Sequence, residues 1–267
     1  MSVVAGGFDR AGWLDLALAA CDEADLLAMA AYRGSREVST KTDGTLVTSA
    51  DREIERLLRE RIHAAHPDHG LIGEEYGPEA AERPVRWYLD PIDGTSNFVR
   101  GVPIFATLMA VEREGTLDVA VVSAPALRMR WLAWRGGGAW SVAAGGERHR
   151  LSVSGIATIP EAHLLYASAT ALRASGAVPG LDALLAQVWR ERGFGDFWGH
   201  MLVAEGSAEA MLEFGLAAWD IAAPMLIVQE AGGRCTDLEG RAELHGRGGF
   251  LSVNAALHAP LLAALTS

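Results

Sequence analysis

From Asp9 to about Tyr32, the residues Trp13, Leu16, Ala17, Ala20, Leu27 and Ala31 recur at helical spacing, which predicts an amphipathic opening helix. The polar, turn-rich stretch Ser39-Thr40-Lys41-Thr42-Asp43-Gly44-Thr45 then reads as a loop or hairpin tip. A second helix is expected after it. Thr48 or Ser49 can cap this helix, Asp51 and Glu53 fall in its first turn, and Ile54, Leu57, Leu58 and Ile62 point inward. Pro67-Asp68-His69-Gly70 ends it.

The pattern then changes to strands. Leu71-Ile72-Gly73 is a short apolar run that stops at Glu74-Glu75, and Trp87-Tyr88-Leu89 is another that stops at Asp90. Ile104 to Val111 and Leu117 to Ser123 read as strands joined by the hairpin Glu112-Arg113-Glu114-Gly115. Arg130 to Trp134 and Ala139 to Val142 flank Arg135-Gly136-Gly137-Gly138, a hairpin turn rather than a nucleotide loop because no GK[ST] follows. Beyond Ala144 to Arg150 strand and helix alternate. Leu164 to Ala167 and Phe250 to Val253 read as strands, and Leu181 to Arg192, Trp198 to Ala204, Ile221 to Ala231 and Leu257 to Leu265 as helices. A mixed α/β (α+β) chain of two packed subdomains, residues 1–147 and 148–267, is predicted.

Half of the 267 residues are hydrophobic, enough for a substantial core. Lys and Arg number 23 against 34 Asp and Glu, a formal net charge of -11, which argues against nucleic acid or an anionic membrane as partner. An anionic substrate stays open, because bound cations invert a local field. Two cysteines, Cys21 and Cys235, fit reduced thiols in a cytosolic protein. No secretory leader pattern and no apolar run of membrane-spanning length is found, so a soluble, cytoplasmic protein is expected.

Candidate chemistry concentrates in Asp90-Pro91-Ile92-Asp93-Gly94-Thr95-Ser96-Asn97-Phe98. Two carboxylates this close repel unless a cation or hydrogen bonds compensate, and hard oxygen ligands suit Mg²⁺. An ordinary turn closing a strand is the alternative. Gly94 permits close backbone approach to a ligand, and Thr95-Ser96 can open a helix whose N–H groups meet an anion or simply cap it. Glu74, Asp220, Asp51 and Lys41 are individually a solvated edge, a helix-start acid, a first-turn acid and a loop cation. Acids at several separate strand and helix ends argue jointly for a site.

With Gly73-Glu74-Glu75 before it and Trp219-Asp220-Ile221-Ala222-Ala223 after it, the central stretch resembles the inositol monophosphatase superfamily. Lys41 to Asp51 and Glu230-Ala231-Gly232-Gly233 are similar to further motifs of that family, in the same order. The resemblance implies a layered αβαβα fold and Mg²⁺-dependent hydrolysis of a small phosphate monoester. Glu74, Asp90, the carbonyl of Ile92, Asp93 and Asp220 would hold two or three Mg²⁺ ions, while Gly94, Thr95 and Ser96 would bind phosphate. Glu74 and Thr95 would position the activated water, with Asp51 and Lys41 in the same catalytic set, and a homodimer is expected. Asn97 to Pro103 and Arg192-Gly193-Phe194-Gly195-Asp196-Phe197-Trp198 look most similar to the histidinol-phosphate phosphatase branch, of histidine biosynthesis. Arg100, Arg192, Asp196 and Glu213 are the corresponding substrate-contact candidates, a carboxylate suiting an ammonium or polyol hydroxyls alike. An inositol-1-phosphate or sugar-phosphate phosphatase and a non-catalytic regulatory relative are the alternatives. His63, His66 and His69 form an H-x-x-H-x-x-H series, but Pro67 breaks the helix that would align them. No G-x-S-x-G elbow, D-x-D nucleophile or P-loop occurs.

Overall fold

The computed structural model describes residues 10–34, 38–40, 46–244 and 249–267. Helix α1 (Arg10–Arg33) buries Trp13, Ala17, Ala20, Cys21, Ala24 and Ala28, a mostly small-residue row that lets it lie close to a sheet. Leu16 and Leu27 sit half-buried at the margins of that row. Strands β1 (Val38–Thr40) and β2 (Leu46–Thr48) pair antiparallel, and the tip between them, with Lys41, lies outside the described residues. Helix α2 (Ser49–Ala65) starts where the Asp51 carboxylate accepts the Thr48 amide (2.8 Å) and hydroxyl (2.5 Å). Ile54, Leu58 and Ile62 face inward as expected, whereas Leu57 is half-buried and Glu55 is fully buried.

Strands β3 (Gly70–Gly73), β4 (Gly77–Glu79) and β5 (Val85–Asp93) come next, followed by the short helix α3 (Thr95–Arg100). Then follow β6 (Ala106–Arg113), β7 (Thr116–Ala124), β8 (Met129–Trp134), β9 (Gly138–Ala143) and β10 (Arg148–Arg150). They form an eight-stranded sheet ordered β10-β9-β8-β7-β6-β5-β3-β4, in which only β3 and β5 run parallel. This sheet runs on through Arg150. The Gly136–Gly138 tract is the expected hairpin turn, its amides at 136 and 138 held by the Glu230 carboxylate at 2.9 Å each.

The remainder comprises β11 (His163–Tyr166), α4 (Ala169–Ser175), α5 (Leu181–Leu185), β12 (Arg190–Arg192), α6 (Asp196–Ala204), β13 (Ala210–Glu213), α7 (Ala218–Glu230), β14 (Gly233–Thr236), β15 (Phe250–Asn254) and α8 (His258–Thr266). The second sheet has five strands ordered β12-β11-β13-β15-β14. The helix expected from Leu181 to Arg192 is corrected here. It stops at Leu185, and Arg190–Arg192 pairs parallel with His163–Leu165 as an edge strand. Leu181 and Leu184 are buried, Leu185 and Val188 pack partly against the same core, and two arginines suit an exposed edge.

Strand alternation explains the layers. Trp87, Leu89, Met109, Val111, Val119 and Val121 face α1 and α2, while Tyr88, Leu108, Ala110, Ala120 and Val122 face α6 and α7. The second sheet lies beyond α6 and α7, with Met211 and Phe250 in their shared core, and α4, α5 and α8 cover its outer face through Leu172, Leu184 and Leu261. The result is the layered αβαβα arrangement. No described helix is long and apolar enough to cross a membrane.

Candidate active site

Residues three apart on a regular strand face opposite sides of a sheet. Asp90 and Asp93 escape that rule through a bulge. Asp90 pairs with Leu108 but Asp93 with Ala106, so β5 spends one more residue than β6 over that interval. The Thr107 hydroxyl donates to the Pro91 carbonyl at 2.8 Å and pins the irregularity. Asp90 shares the parity of Tyr88 and so faces α7, where Asp220 occupies the first turn and accepts the Ala217 amide at 2.6 Å. Oxygens of Asp90, Asp93 and Asp220 lie within 4.8 Å of one another.

Asp90 is 1% exposed, and its Oδ1 has no hydrogen-bond partner. Burial, then the charges of Glu74, Asp93, Asp220 and Asp51, push its pKa well above the carboxylate range. Asp93 is raised for the same first reason and then by Asp196, Asp220 and Glu213, although the Phe197 amide donates to its Oδ2 at 2.5 Å. Burial likewise lifts Asp220 to about 7. Among the described residues no lysine or arginine pairs with these three acids. An orphaned buried oxygen and converging hard carboxylates fit a divalent cation.

The other predicted residues divide into two groups. Glu74 follows β3, and its charge bears on Asp51, Asp90 and Asp220. Thr95 Oγ1 donates to the Ile92 carbonyl at 3.0 Å and lies 3.5 Å from Asp51 Oδ1; burial raises the Asp51 pKa. Gly94 caps α3 at φ +80°, and a Cβ there would meet the Ile104 carbonyl at 2.9 Å, so glycine is required. Ser96 is exposed beside it. Asp196 and Glu213 also join the cluster, since each raises the burden on Asp93, and Asp196 is itself lifted to about 6 by burial and by Glu213. Arg100 and Arg192 are exposed and make no hydrogen bond or ion pair to the acids. A cavity of about 210 Å³ opens next to the acids, lined by Asn97, Ile104, Phe194, Asp196 and Trp198.

Three supporting residues have roles that the sequence does not assign, although Asn97 lies in the central motif. Glu55 fills the space left by Gly73, where a Cβ would come within 2.0 Å of its Oε1, and it accepts the amides of Glu75 (2.6 Å) and Tyr76 (3.2 Å). It thereby shapes the turn that carries Glu74; the available signal was an acid inside an apolar helix face, four residues before its partner Arg59. Asn97 Nδ2 donates to Asp196 Oδ2 at 3.0 Å, and His200 Nε2 stands 3.6 Å from Glu213 Oε2. The competing histidine series is not a metal centre. His66 and His69 stack at 4.4 Å, His69 Nδ1 accepts the Trp87 indole at 3.0 Å, and His63 turns to Glu79.

The model of the inositol monophosphatase family matches residues 9–267. This chain belongs to that family. A histidinol-phosphatase of Mycobacterium tuberculosis (strain ATCC 25618 / H37Rv) is 42% identical over 255 residues, covering 95% of this chain and 98% of the relative. An inositol-1-monophosphatase of Mesorhizobium japonicum is 32% identical, with 86% of each chain covered. The crystal structure of the extragenic suppressor protein suhB from Bartonella henselae superposes with a TM-score of 0.86 at 27% identity, covering 96% and 99% of the two chains. The protein is an inositol monophosphatase family phosphatase, a phosphoric monoester hydrolase.

Proposed function

We propose that this phosphatase hydrolyses histidinol phosphate with Mg²⁺, as a cytoplasmic homodimer of histidine biosynthesis. One observation carries the metal reading: Asp90, Asp93 and Asp220 converge within 4.8 Å with no described cation to offset them. Two or three Mg²⁺ ions held by Glu74, Asp90, the Ile92 carbonyl, Asp93 and Asp220 would supply Lewis-acid polarisation of phosphoryl oxygens and a more acidic water.

The chain's own groups do the rest. Gly94, Thr95 and Ser96 receive phosphate oxygens at the start of α3. The Thr95 hydroxyl, committed as a donor to Ile92 at 3.0 Å, turns its lone pairs to the attacking water. Glu74 and Asp51 accept its proton, Asp51 from its place 3.5 Å from Thr95 Oγ1. Lys41 belongs to the same set by its place in the sequence motif. Asp196 and Glu213 offer carboxylates to the ammonium of histidinol, and the name of the Mycobacterium tuberculosis relative supports that substrate. Arg100 and Arg192 are assigned to the outer part of the substrate path. The polyol of inositol 1-phosphate would use the same carboxylates as hydrogen-bond acceptors, which is the second reading.

Comparing kcat/KM on histidinol phosphate and inositol 1-phosphate, with Mg²⁺ and with EDTA, tests all of this. Histidinol phosphate is expected to be preferred by about tenfold or more, because an ammonium makes charge-assisted hydrogen bonds to these carboxylates where polyol hydroxyls make neutral-donor ones. Preference for the inositol ester overturns the substrate, and undiminished turnover in EDTA overturns the metal. No turnover on histidinol phosphate, inositol phosphate or fructose bisphosphate would favour the non-catalytic relative.

A further inference from the structure

Helix α6 carries two groups toward the substrate wall. Asp196, its first residue, reaches the acid cluster directly, and His200 lies one turn later on the same face. His200 is 2% exposed and packs edge-on against Phe250 with ring centroids 5.3 Å apart. Phe250 is the cross-strand neighbour of Glu213, and Ser252 that of Met211, so β13 and β15 present Glu213 and Ser252 to the same ring. Its Nδ1 lies 2.9 Å from Ser252 Oγ, and its Nε2 lies 3.6 Å from Glu213 Oε2. Both Nε2 and Oε2 are buried without a hydrogen-bond partner. Buried polar atoms are nearly always satisfied, so a donor and an acceptor left facing each other here call for an explanation.

The hydrogen placement follows from the neighbours. Nε2 faces a carboxylate oxygen, which only accepts, so Nε2 carries a hydrogen. In the neutral ring Nδ1 is then the acceptor, and the Ser252 hydroxyl donates to it. Cys235 Sγ stands 3.3 Å behind Ser252 Oγ, and burial pushes its thiol up to about 12, so it keeps its proton. Ser252 therefore fixes the ring with its Nε2 hydrogen aimed at Glu213. At 3.6 Å this contact is just too long for a hydrogen bond, the state expected of a site whose contacts tighten when substrate arrives.

We infer that His200 is a positioning residue for substrate specificity, which holds one oxygen of Glu213 so that the other receives the cationic or hydroxyl-bearing alcohol of the substrate. The inference rests on the reading of Glu213 as a substrate contact. His200→Leu is expected to raise KM for histidinol phosphate about tenfold, the size of one lost hydrogen bond to a charged group, with kcat within about twofold. His200→Gln, whose amide can replace Nε2–H, is expected to restore most of that loss. Ser252→Ala keeps the test alive if the leucine variant fails to fold, and it is expected to raise KM in the same direction by a smaller factor. An unmoved KM overturns the inference. So does a parallel loss of kcat and thermal stability in the leucine and glutamine variants alike, which marks a structural role. Wild-type preference for inositol 1-phosphate sinks the proposed substrate instead, and the KM-against-kcat split on that ester then decides the role of His200.

Discussion

Asp90 and Asp118 are buried carboxylates on strands of one sheet, 1% and 0% exposed, with opposite surroundings. Arg10 and Arg113 donate to Asp118 at 2.8 and 2.9 Å, and Arg135 approaches to 4.0 Å. Asp90 instead faces Glu74, Asp93, Asp220 and Asp51. A fold that can surround one acid with arginine has left another among acids, at a standing electrostatic penalty. The first arrangement is complete as it stands, while the second has the uncompensated acids that fit the proposed divalent cation.

An acid from each setting, Asp93 beside Asp90 in the cluster and Asp118 among the arginines, should therefore respond in opposite ways to neutralisation. Asp93→Asn is expected to lower kcat/KM on the order of 10³-fold or more while leaving the melting temperature unchanged or higher, because repulsion is relieved as a ligand is lost. Asp118→Asn is expected to lower stability by about 2 kcal/mol with activity within about twofold, because partly exposed arginines lose a buried acceptor. Steady-state kinetics and thermal melts on both variants check this. Near-normal turnover in Asp93→Asn would remove the metal assignment.

Metal and pH sharpen the contrast further. A carboxylate with a raised folded pKa contributes stability below its ordinary 3.8, and that contribution is lost as pH rises through the folded value, about 6 for Asp196 and about 7 for Asp220. Metal-free protein is thus expected to lose stability from mildly acidic pH to about pH 8, and Mg²⁺ to restore it most at the upper end, by about 2.7 kcal/mol at a hundred times Kd. Melts in EDTA and in Mg²⁺ across that range decide it. If Asp220→Asn kept the full slope, the cluster would not be its source.

Much of this site was legible in the sequence because its acids end apolar runs. Asp90, Asp93 and Asp220 stand where a strand or helix begins or stops, and short motifs mark such places. What was not legible depends on contacts between distant segments. That both strand aspartates face one way needs the bulge opposite Thr107, which no local pattern encodes. Glu55 looks like a helix-surface acid until Gly73 is packed against it, and His200 like a core residue until β13 and β15 bring Glu213 and Ser252 beside it. Likewise Val188 to Arg192 continued a helical run in sequence, and only β11 made an edge strand of it.

Asn97 gives the smallest of these effects and separates charge from geometry inside the acidic region. Asp196 sits at φ +57°, a left-handed conformation that a non-glycine residue holds only under constraint. Its constraint on the side-chain end is Asn97 Nδ2 at 3.0 Å, from a helix 99 residues away in sequence. Asn97→Ala removes that donor without changing any charge, so the repulsion within the cluster persists while the aim of one carboxylate is lost. KM for histidinol phosphate is expected to rise about threefold to tenfold, close to 1 kcal/mol for one hydrogen bond, with kcat falling less. Asp196→Gly should do the converse on stability, relieving the backbone strain and raising the melting temperature while weakening the same KM. If Asn97→Ala left KM unmoved and Asp196→Gly weakened it, the carboxylate would be acting through its charge alone, and the geometry of α3 against α6 would be irrelevant to substrate choice.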